Sequence, residues 1–167
     1  MKKLLIITTI IISILIINKE DQVIIPDEAI RFRVIAESNT KEDQEIKKKI
    51  VYNLQDTISS VEHDNLEDTR LEIKKKIPEF KKIVNNTLKE NNLNKEFNIN
   101  YGLNYFPEKE YKKVIYPEGE YESLVITLGE GKGNNFWCVL FPPLCLIDED
   151  QPNNYKSFVK ELIDKYF

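Results

Sequence analysis

Apolar residues recur at regular spacings along most of this chain, and the spacings predict its secondary structure segment by segment. Residues 18–27 are charged at first and end in Ile24, Ile25 and Pro26, which is typical of a linker. The next residues alternate as a strand, and its inward side chains are expected to be Ile30, Phe32, Val34 and Ala36. We therefore expect a folded domain to begin near Pro26.

Two helices are predicted between residues 40 and 90. Thr40, followed by Glu42 and Asp43, favours a helix start, because a hydroxyl and carboxylates satisfy the free amides of the first turn. The first helix has apolar residues three or four positions apart, namely Ile46, Ile50, Leu54, Ile58 and Val61. The second opens after Asp64 and would bury Leu66, Ile73, Ile77, Phe80, Val84 and Leu88. Pro78 within it predicts a kink or a restart.

The second half of the chain is predicted to be mostly strand. Residues 97–103 alternate as an amphipathic strand, and a short strand is expected over 111–116. Residues 121–128 and 136–141, joined by a glycine-rich loop, predict a hairpin. A last helix would bury Tyr155, Phe158, Val159, Leu162 and Ile163. The order of elements predicts an α+β domain, a single largely antiparallel sheet with helices packed on one face.

The strand over residues 136–141 is apolar on both faces. Side chains alternate along a strand, so Phe136, Cys138 and Leu140 are expected on one face, and the other would carry Trp137, Val139 and Phe141. Such a strand is either sandwiched in a core or turned toward a partner. Both interpretations stay open, and we expect Trp137 to be partly exposed beside the glycine-rich loop.

Composition and charge exclude some classes of function. The 167 residues, 41% apolar and 31% charged, suit one globular domain with a core. The net charge of -4 argues against a nucleic-acid-binding protein, because no basic stripe is available to neutralise phosphates.

The N-terminus predicts export. A short basic start at Met1–Lys3 precedes an uninterrupted apolar and hydroxyl run from Leu4 to Ile17. As a helix this run would be about 20 Å long, which is short of the bilayer core and fits a signal peptide. No small-residue cleavage site follows, so a short uncleaved anchor stays open. We therefore expect a signal peptide or membrane anchor plus linker over residues 1–25 and an exported domain over 26–167.

The glycine-rich loop does not fit a phosphate site, because Gly133 follows Lys132 where a serine or threonine is needed and a strand comes next. We interpret it as a flexible hairpin loop that presents Lys132 and Asn135 as a recognition edge. Arg31 and Arg33 share the outward face of the first strand, as a solvated face or a partner-binding edge.

Cys138 and Cys145 are either a disulfide, if the chain turns at Phe141-Pro142, or two buried thiols. With His63 as the single histidine, they are too few for a zinc site, and a Cys–His catalytic pair is disfavoured because His63 lies in a polar segment. The acidic residues at 148–150 and 67–68 fit helix starts rather than acid–base pairs. The sequence predicts no metal site and no catalytic set.

Three segments in a fixed order resemble the stage II sporulation protein R family of endospore-forming bacteria. The first is Pro26–Gln44, which includes Ile30-Arg-Phe-Arg-Val-Ile-Ala36, then Ser38 and Asp43-Gln44. The second is Tyr116-Pro-Glu-Gly-Glu-Tyr-Glu-Ser-Leu124, and the third is the glycine-rich and aromatic stretch Gly129–Cys145. The resemblance covers essentially the whole region expected to be exported.

The resemblance implies a protein made in the forespore and exported into the space between the forespore and mother-cell membranes. There it would signal to a membrane-embedded aspartic protease, which cleaves the sigma-E precursor. This implies a protein ligand without cofactor or small-molecule substrate. The partner-binding surface is our own inference from the residues, and comprises Trp137, Phe141, Lys132, Asn135, Arg31 and Arg33. An exported thiol- or carboxylate-dependent cell-wall hydrolase and a structural protein of the spore envelope are the alternatives.

Overall fold

The computed structural model describes residues 23–145 and 155–167. The strands are β1 (Val23–Ile24), β2 (Ile30–Ile35), β3 (Phe97–Phe106), β4 (Lys109–Tyr111), β5 (Val114–Tyr116), β6 (Gly119–Leu128) and β7 (Asn135–Phe141). The helices are α1 (Lys41–Asn53), α2 (Gln55–Val61), α3 (Leu66–Glu90) and α4 (Tyr155–Tyr166). The predicted export segment and the acidic residues at 148–150 lie outside the described residues.

The strands form two mixed sheets, a main sheet of order β3-β6-β2-β7 and a small sheet of order β1-β5-β4. In the main sheet β2 and β6 run parallel, whereas β3 and β7 run antiparallel to their neighbours. In the small sheet β1 is parallel to β5, and β4 is antiparallel to it. The α+β class is confirmed, but the prediction of a single, largely antiparallel sheet is wrong.

The predicted hairpin of β6 and β7 is wrong because β2 lies between these strands and pairs with both. The parallel strands β2 and β6 end at the same edge of the sheet. The loop of residues 129–134 therefore passes the end of β2 before β7 begins, a crossing of about 10 Å at the usual strand spacing. Alternation along a strand indicates its faces but not its neighbours, so the sequence did not reveal this insertion.

Helices α1 to α3 pack on one face of the main sheet, as predicted, whereas α4 buries Val159 in a second cluster, against the small sheet. Thr40 caps α1 by accepting a hydrogen bond from the Asp43 amide at 3.3 Å. The predicted first helix is two helices, α1 and α2, which meet at Leu54. Helix α3 continues through Pro78, so the predicted restart is wrong. The residues predicted to be buried in the first helix are at most 3% exposed, and they are Ile46, Ile50, Leu54, Ile58 and Val61.

The small sheet builds a second apolar cluster. Val23 and Ile25, predicted as linker, are buried there with Val139 of β7 and Val159 of α4, so residues 23–25 belong to the folded domain. The predicted strand over 111–116 is split between β4 and β5 by a turn at residues 112–113, where φ is 47° and 67°. The side chains of Tyr155 and Phe158, predicted to be buried, lie outside the described part of α4.

A β-bulge moves Phe141 to the face opposite the one predicted. Ile30 pairs with Phe141, but the next residue, Arg31, pairs with Val139, so Leu140 is the extra residue. The alternation is interrupted there, and Phe141 joins the helix-side core at 3% exposure. Its ring makes an edge contact with Tyr166 of α4, with the centroids 5.1 Å apart.

Candidate functional site

Aromatic rings and cations alternate on the face of the main sheet that helices α1 to α3 leave uncovered. The guanidinium carbon of Arg31 lies 3.3 Å from the ring centroid of Tyr121, and that of Arg33 lies 4.6 Å from the centroid of Phe106. At the far end, Lys109 Nζ lies 5.0 Å from the centroid of Trp137. We call this arrangement the aromatic–cation ladder, and its members in order are Tyr121, Arg31, Phe106, Arg33, Trp137 and Lys109.

Strand register brings the ladder together. Arg31 and Arg33 alternate with the core residues of β2, and Arg33 pairs directly with Trp137 of β7. On the other side of β2, Arg31 pairs with Ser123 of β6, two residues beyond Tyr121. Side chains opposite each other on paired strands lie within reach of long and aromatic groups. The ladder therefore follows from the insertion of β2 between β6 and β7.

The Arg31 guanidinium is buried without a carboxylate partner among the described residues. Arg31 is 1% exposed, and its Nη1 donates to the Pro117 carbonyl oxygen at 3.2 Å. Its Nε and Nη2, and Nε of Arg33, are buried without a hydrogen-bond partner in the part of the chain that the structure describes. Burial lowers the pKa of both guanidinium groups below the ordinary arginine value. Arg31 is thus not on a solvated face, and β2 is not an edge strand.

The third arginine of the chain, Arg70, differs from these two because its guanidinium is paired with carboxylates. Arg70 donates to Glu122 at 2.8 Å and forms an ion pair with Glu67. Hydrogen bonds to those carboxylates raise the pKa of Arg70. The two ladder arginines instead lie against aromatic rings, Arg31 against Tyr121 and Phe106 and Arg33 against Phe106 and Trp137, and the rings supply no carboxylate.

The ladder has one closed end and one open end. Tyr121, Arg31 and Phe106 are each at most 5% exposed. Arg33 and Trp137 are half-buried, and Lys109 is exposed. The partial exposure predicted for Trp137 is confirmed. A partner can therefore reach the Arg33–Trp137–Lys109 end of the stack but not its interior.

Asn135 belongs with the open end, whereas the side chain of Lys132 pairs with Glu130 of the loop. In the amide orientation that satisfies both groups, the Asn135 side-chain oxygen accepts from Trp137 Nε1 at 3.2 Å and its nitrogen donates to the Gly133 carbonyl oxygen at 3.2 Å. Lys132 is 75% exposed at its side chain and pairs with Glu130 at 2.5 Å. Of the six residues predicted for the partner surface, the structure brings together Trp137, Asn135, Arg31 and Arg33. Phe141 and Lys132 lie apart from them.

The glycine-rich loop is docked on the segment that follows β2. The Gly133 amide donates to the Ala36 carbonyl oxygen at 2.9 Å, and the Lys132 amide donates to that of Glu37 at 3.0 Å. A Cβ at Gly133 would lie 2.2 Å from the Ser38 carbonyl oxygen, which only glycine avoids. The glycines thus allow the loop backbone to approach the segment after β2 closely. Because β2 lies between β6 and β7, the interpretation as a hairpin loop is wrong.

Lys47 of α1 connects the helix layer to this loop through a hydrogen bond. Its Nζ donates to the Asn134 carbonyl oxygen at 2.9 Å and to Gln44 Oε1 at 2.6 Å. Burial lowers the pKa of Lys47. The start of β7, and with it the position of Trp137, is therefore held from both β2 and α1.

A disulfide joins Cys138 and Cys145, with the Cα atoms 5.0 Å apart. Neither sulfur is then a thiol. A catalytic pair of a cysteine with His63 would therefore lack its nucleophile. Within residues 23–145 and 155–167, no three histidine, cysteine, aspartate or glutamate side chains are grouped as metal ligands. No helix in those ranges is both long enough and apolar enough to cross a bilayer.

Sequence reasoning missed Phe106, Tyr121 and Lys109 as site residues. Phe106 carried a usable signal, because the apolar positions of β3 are odd-numbered up to Leu103 and Phe106 is even, so it points to the opposite face. Lys109 carried none, since its approach to Trp137 depends on how the small sheet folds back.

The comparisons with known proteins agree with the resemblance. The model of a family described as stage II sporulation protein R matches residues 26–151. The chain is 40% identical over 133 residues to the stage II sporulation protein R of Bacillus subtilis (strain 168). That alignment covers 78% of this chain and 59% of the relative, so the chain spans less than two-thirds of the relative's length. No solved structure is significantly similar.

Proposed function

This chain belongs to the stage II sporulation protein R family, and on that basis we propose that it is an exported signal of endospore formation. In this proposal it crosses the forespore membrane, acts in the space between the forespore and mother-cell membranes, and activates a membrane-embedded aspartic protease of the mother cell. The protease then cleaves the sigma-E precursor. The N-terminal segment serves as the export signal or as a short membrane anchor.

The family match over residues 26–151 is the observation that carries the proposal. It includes β2, the glycine-rich loop and β7, which build and position the ladder. A protein that acts by contact needs a partly exposed, preorganised surface rather than a catalytic set, and the open end of the ladder has that character. We propose that Arg33, Trp137 and Asn135 contact the protease.

Phe141 and Lys132 have other roles in this proposal. Phe141 is 3% exposed and fixes the end of β7 against α4 through Tyr166. Lys132 pairs with Glu130 on the docked loop. Neither is assigned to the contact surface, which is narrower than the sequence predicted.

The disulfide supports the exported location. Disulfides persist in oxidising compartments outside the cytoplasm and are rare inside it. The bond between Cys138 and Cys145 spans only seven positions and lies at the end of β7, beside the bulge that directs Phe141 into the core. A reducing cytoplasm would remove this restraint on the strand that carries Trp137.

The hydrolase alternative has less support. Its thiol form needs Cys138 or Cys145 reduced, whereas the two are bonded to each other. A Cys138→Ser variant separates the two functions, because a folded protein ligand tolerates the change and a thiol enzyme does not. Hydrolysis of cell-wall material by the purified chain would favour the alternative.

Deletion of Leu4–Ile17 tests the proposed function in sporulating cells. We expect the shortened protein to stay in the forespore cytoplasm and the sigma-E precursor to remain uncleaved in the mother cell. Replacing the segment with an unrelated signal peptide is the matched control and should restore cleavage. Undiminished cleavage without any export segment would contradict signalling across the septum.

A further inference from the structure

Unused hydrogen-bond donors are buried inside the ladder, behind its open end. Among residues 23–145 and 155–167, Nε of Arg33 has no hydrogen-bond partner, and neither have Nε and Nη2 of Arg31, two positions earlier on the same strand. A guanidinium has five N–H donors in a rigid plane, and contact with aromatic rings gives none of them a hydrogen-bond acceptor of the carboxylate kind. The described residues therefore supply no acceptor to these atoms of the two guanidinium groups, and only the half-buried Arg33 has a part that a partner can reach.

The choice of arginine is itself informative. Only three of the 24 basic residues are arginines, in a chain otherwise rich in lysine, and two of the three are in the ladder. Arginine rather than lysine matches a carboxylate with two parallel hydrogen bonds and stacks on aromatic rings. The third, Arg70, binds Glu122 through Nε and Nη2. It shows the arrangement that the ladder arginines lack.

Resting on the proposed signalling function, we propose that the open end of the ladder binds a single carboxylate side chain, flanked by apolar residues, of the protein partner. Arg33 receives the carboxylate, Lys109 adds a second positive charge, and the ring of Trp137 covers the apolar part of the same segment. Arg31, which is closed off from solvent, supports Arg33 through the shared ring of Phe106.

The surroundings favour a single carboxylate over an anionic membrane. Exposed Glu108 and Glu110 flank Lys109 in the sequence. A bilayer surface rich in phosphates would be repelled by these two carboxylates. One carboxylate side chain inserted between Arg33 and Lys109 would not come close to them. The net charge of -4 likewise opposes adsorption to an anionic surface.

The fluorescence of Trp137 gives a direct test, because it is the only tryptophan in the chain. The full chain, in non-ionic detergent micelles, is titrated with a blocked Leu-Glu-Leu peptide and with its Leu-Gln-Leu counterpart. We expect a saturable change with the glutamate peptide below about 10 mM and binding at least about tenfold weaker with the glutamine peptide. Phosphatidylglycerol vesicles form a third arm.

Variants locate the effect. Arg33→Gln should abolish the preference for glutamate, and Lys81→Gln, which removes an exposed charge from α3, should leave it unchanged. If Arg33→Gln does not fold by circular dichroism, Arg33→Lys keeps the charge and should still weaken binding at least about threefold, because an ammonium cannot bind a carboxylate bidentately.

Equal response to the two peptides, no saturable response, a response to the vesicles alone, or unchanged binding by a folded Arg33 variant would overturn the proposal. The titration contains no protease. A positive titration with a chain that fails to activate the protease would therefore contradict the proposed function and leave the carboxylate site standing. A negative titration with a chain that does activate the protease would contradict the carboxylate site and leave the proposed function standing.

Discussion

The rings of Phe106 and Trp137 meet edge to face, with centroids 5.2 Å apart and planes at 86°. The two residues come from β3 and β7, which are the outer strands of the main sheet. Their side chains thus reach each other across the two inner strands, with Arg33 of β2 beside both. Trp137 is consequently fixed in position while part of its ring remains exposed.

Trp137→Ala should leave a folded protein that activates the protease poorly. Truncation of a tryptophan at an interface centre often costs about 2 kcal/mol or more, equivalent to about a 30-fold loss of affinity. Activation is measured beside circular dichroism and thermal melting. Tyr105→Ala is the matched control, because Tyr105 is 58% exposed on the opposite face of β3 and should be silent. A folded and fully active Trp137→Ala protein would remove Trp137 from the interface.

Gly133→Ala should destabilise the domain by about 1–3 kcal/mol, because its Cβ would lie 2.2 Å from a backbone oxygen that cannot move aside cheaply. Gly102→Ala is the control in the same main sheet, since a Cβ there meets nothing within 4 Å. Urea unfolding midpoints compare the two. Equal midpoints would show that the loop is not held against residues 36–38.

Loss of the disulfide should lower stability and spare signalling. In the chain-entropy view the short loop closed by Cys138 and Cys145 contributes about 2–3 kcal/mol. The Cys138→Ser, Cys145→Ser double variant should melt at a lower temperature and still activate the protease below that temperature. Reductant should lower the melting temperature of the wild-type chain but not of the double variant. Loss of activation by the folded double variant would favour a thiol-dependent activity.

Glu62 gives the domain a pH dependence. Burial raises the pKa of Glu62 from 4.5 to about 7, and no described residue forms a hydrogen bond with its Oε1. The folded state therefore binds the Glu62 proton more tightly than the unfolded state does. Protonation of Glu62 favours folding fully below pH 4.5, and this contribution to the free energy of unfolding is lost as the pH rises through 7. Glu62→Gln should therefore raise the melting temperature at pH 8 relative to wild type and have little effect at pH 4.5. The exposed Glu90→Gln should not show this difference, and an identical effect of Glu62→Gln at both pH values would refute the burial of a charge.

Local pattern was enough for the elements and their faces. Thr40 was identified as a helix cap, and Ile46, Ile50 and Leu54 as core, because each depends on neighbours within a turn or two. Arg31 was correctly placed on the face away from Phe32. Its environment was not, because the rings of Tyr121 and Phe106 reach it only through long-range pairing.

The alternation of apolar and polar residues could not predict which strands pair or where a strand is irregular. The pairing of β2 with β6 joins residues such as Phe32 and Leu124, and nothing in their alternation specifies it. The bulge at Leu140 reverses the face of Phe141, since one extra residue in a strand inverts every later side chain. Of the residues proposed from the sequence as a contact surface, Trp137, Asn135, Arg31 and Arg33 thus lie together, whereas Phe141 was wrongly placed beside Trp137.

Co-expression with the candidate membrane protease and the sigma-E precursor tests the central claim most directly. The full chain, the protease and the precursor are produced together in a host that does not form spores, and precursor cleavage is scored at increasing levels of the chain. We predict cleavage that requires the chain, rises with its amount and saturates, and that is reduced about 30-fold in effective affinity by Trp137→Ala. Cleavage that is equal without the chain, or absent at every level of it, would contradict the account.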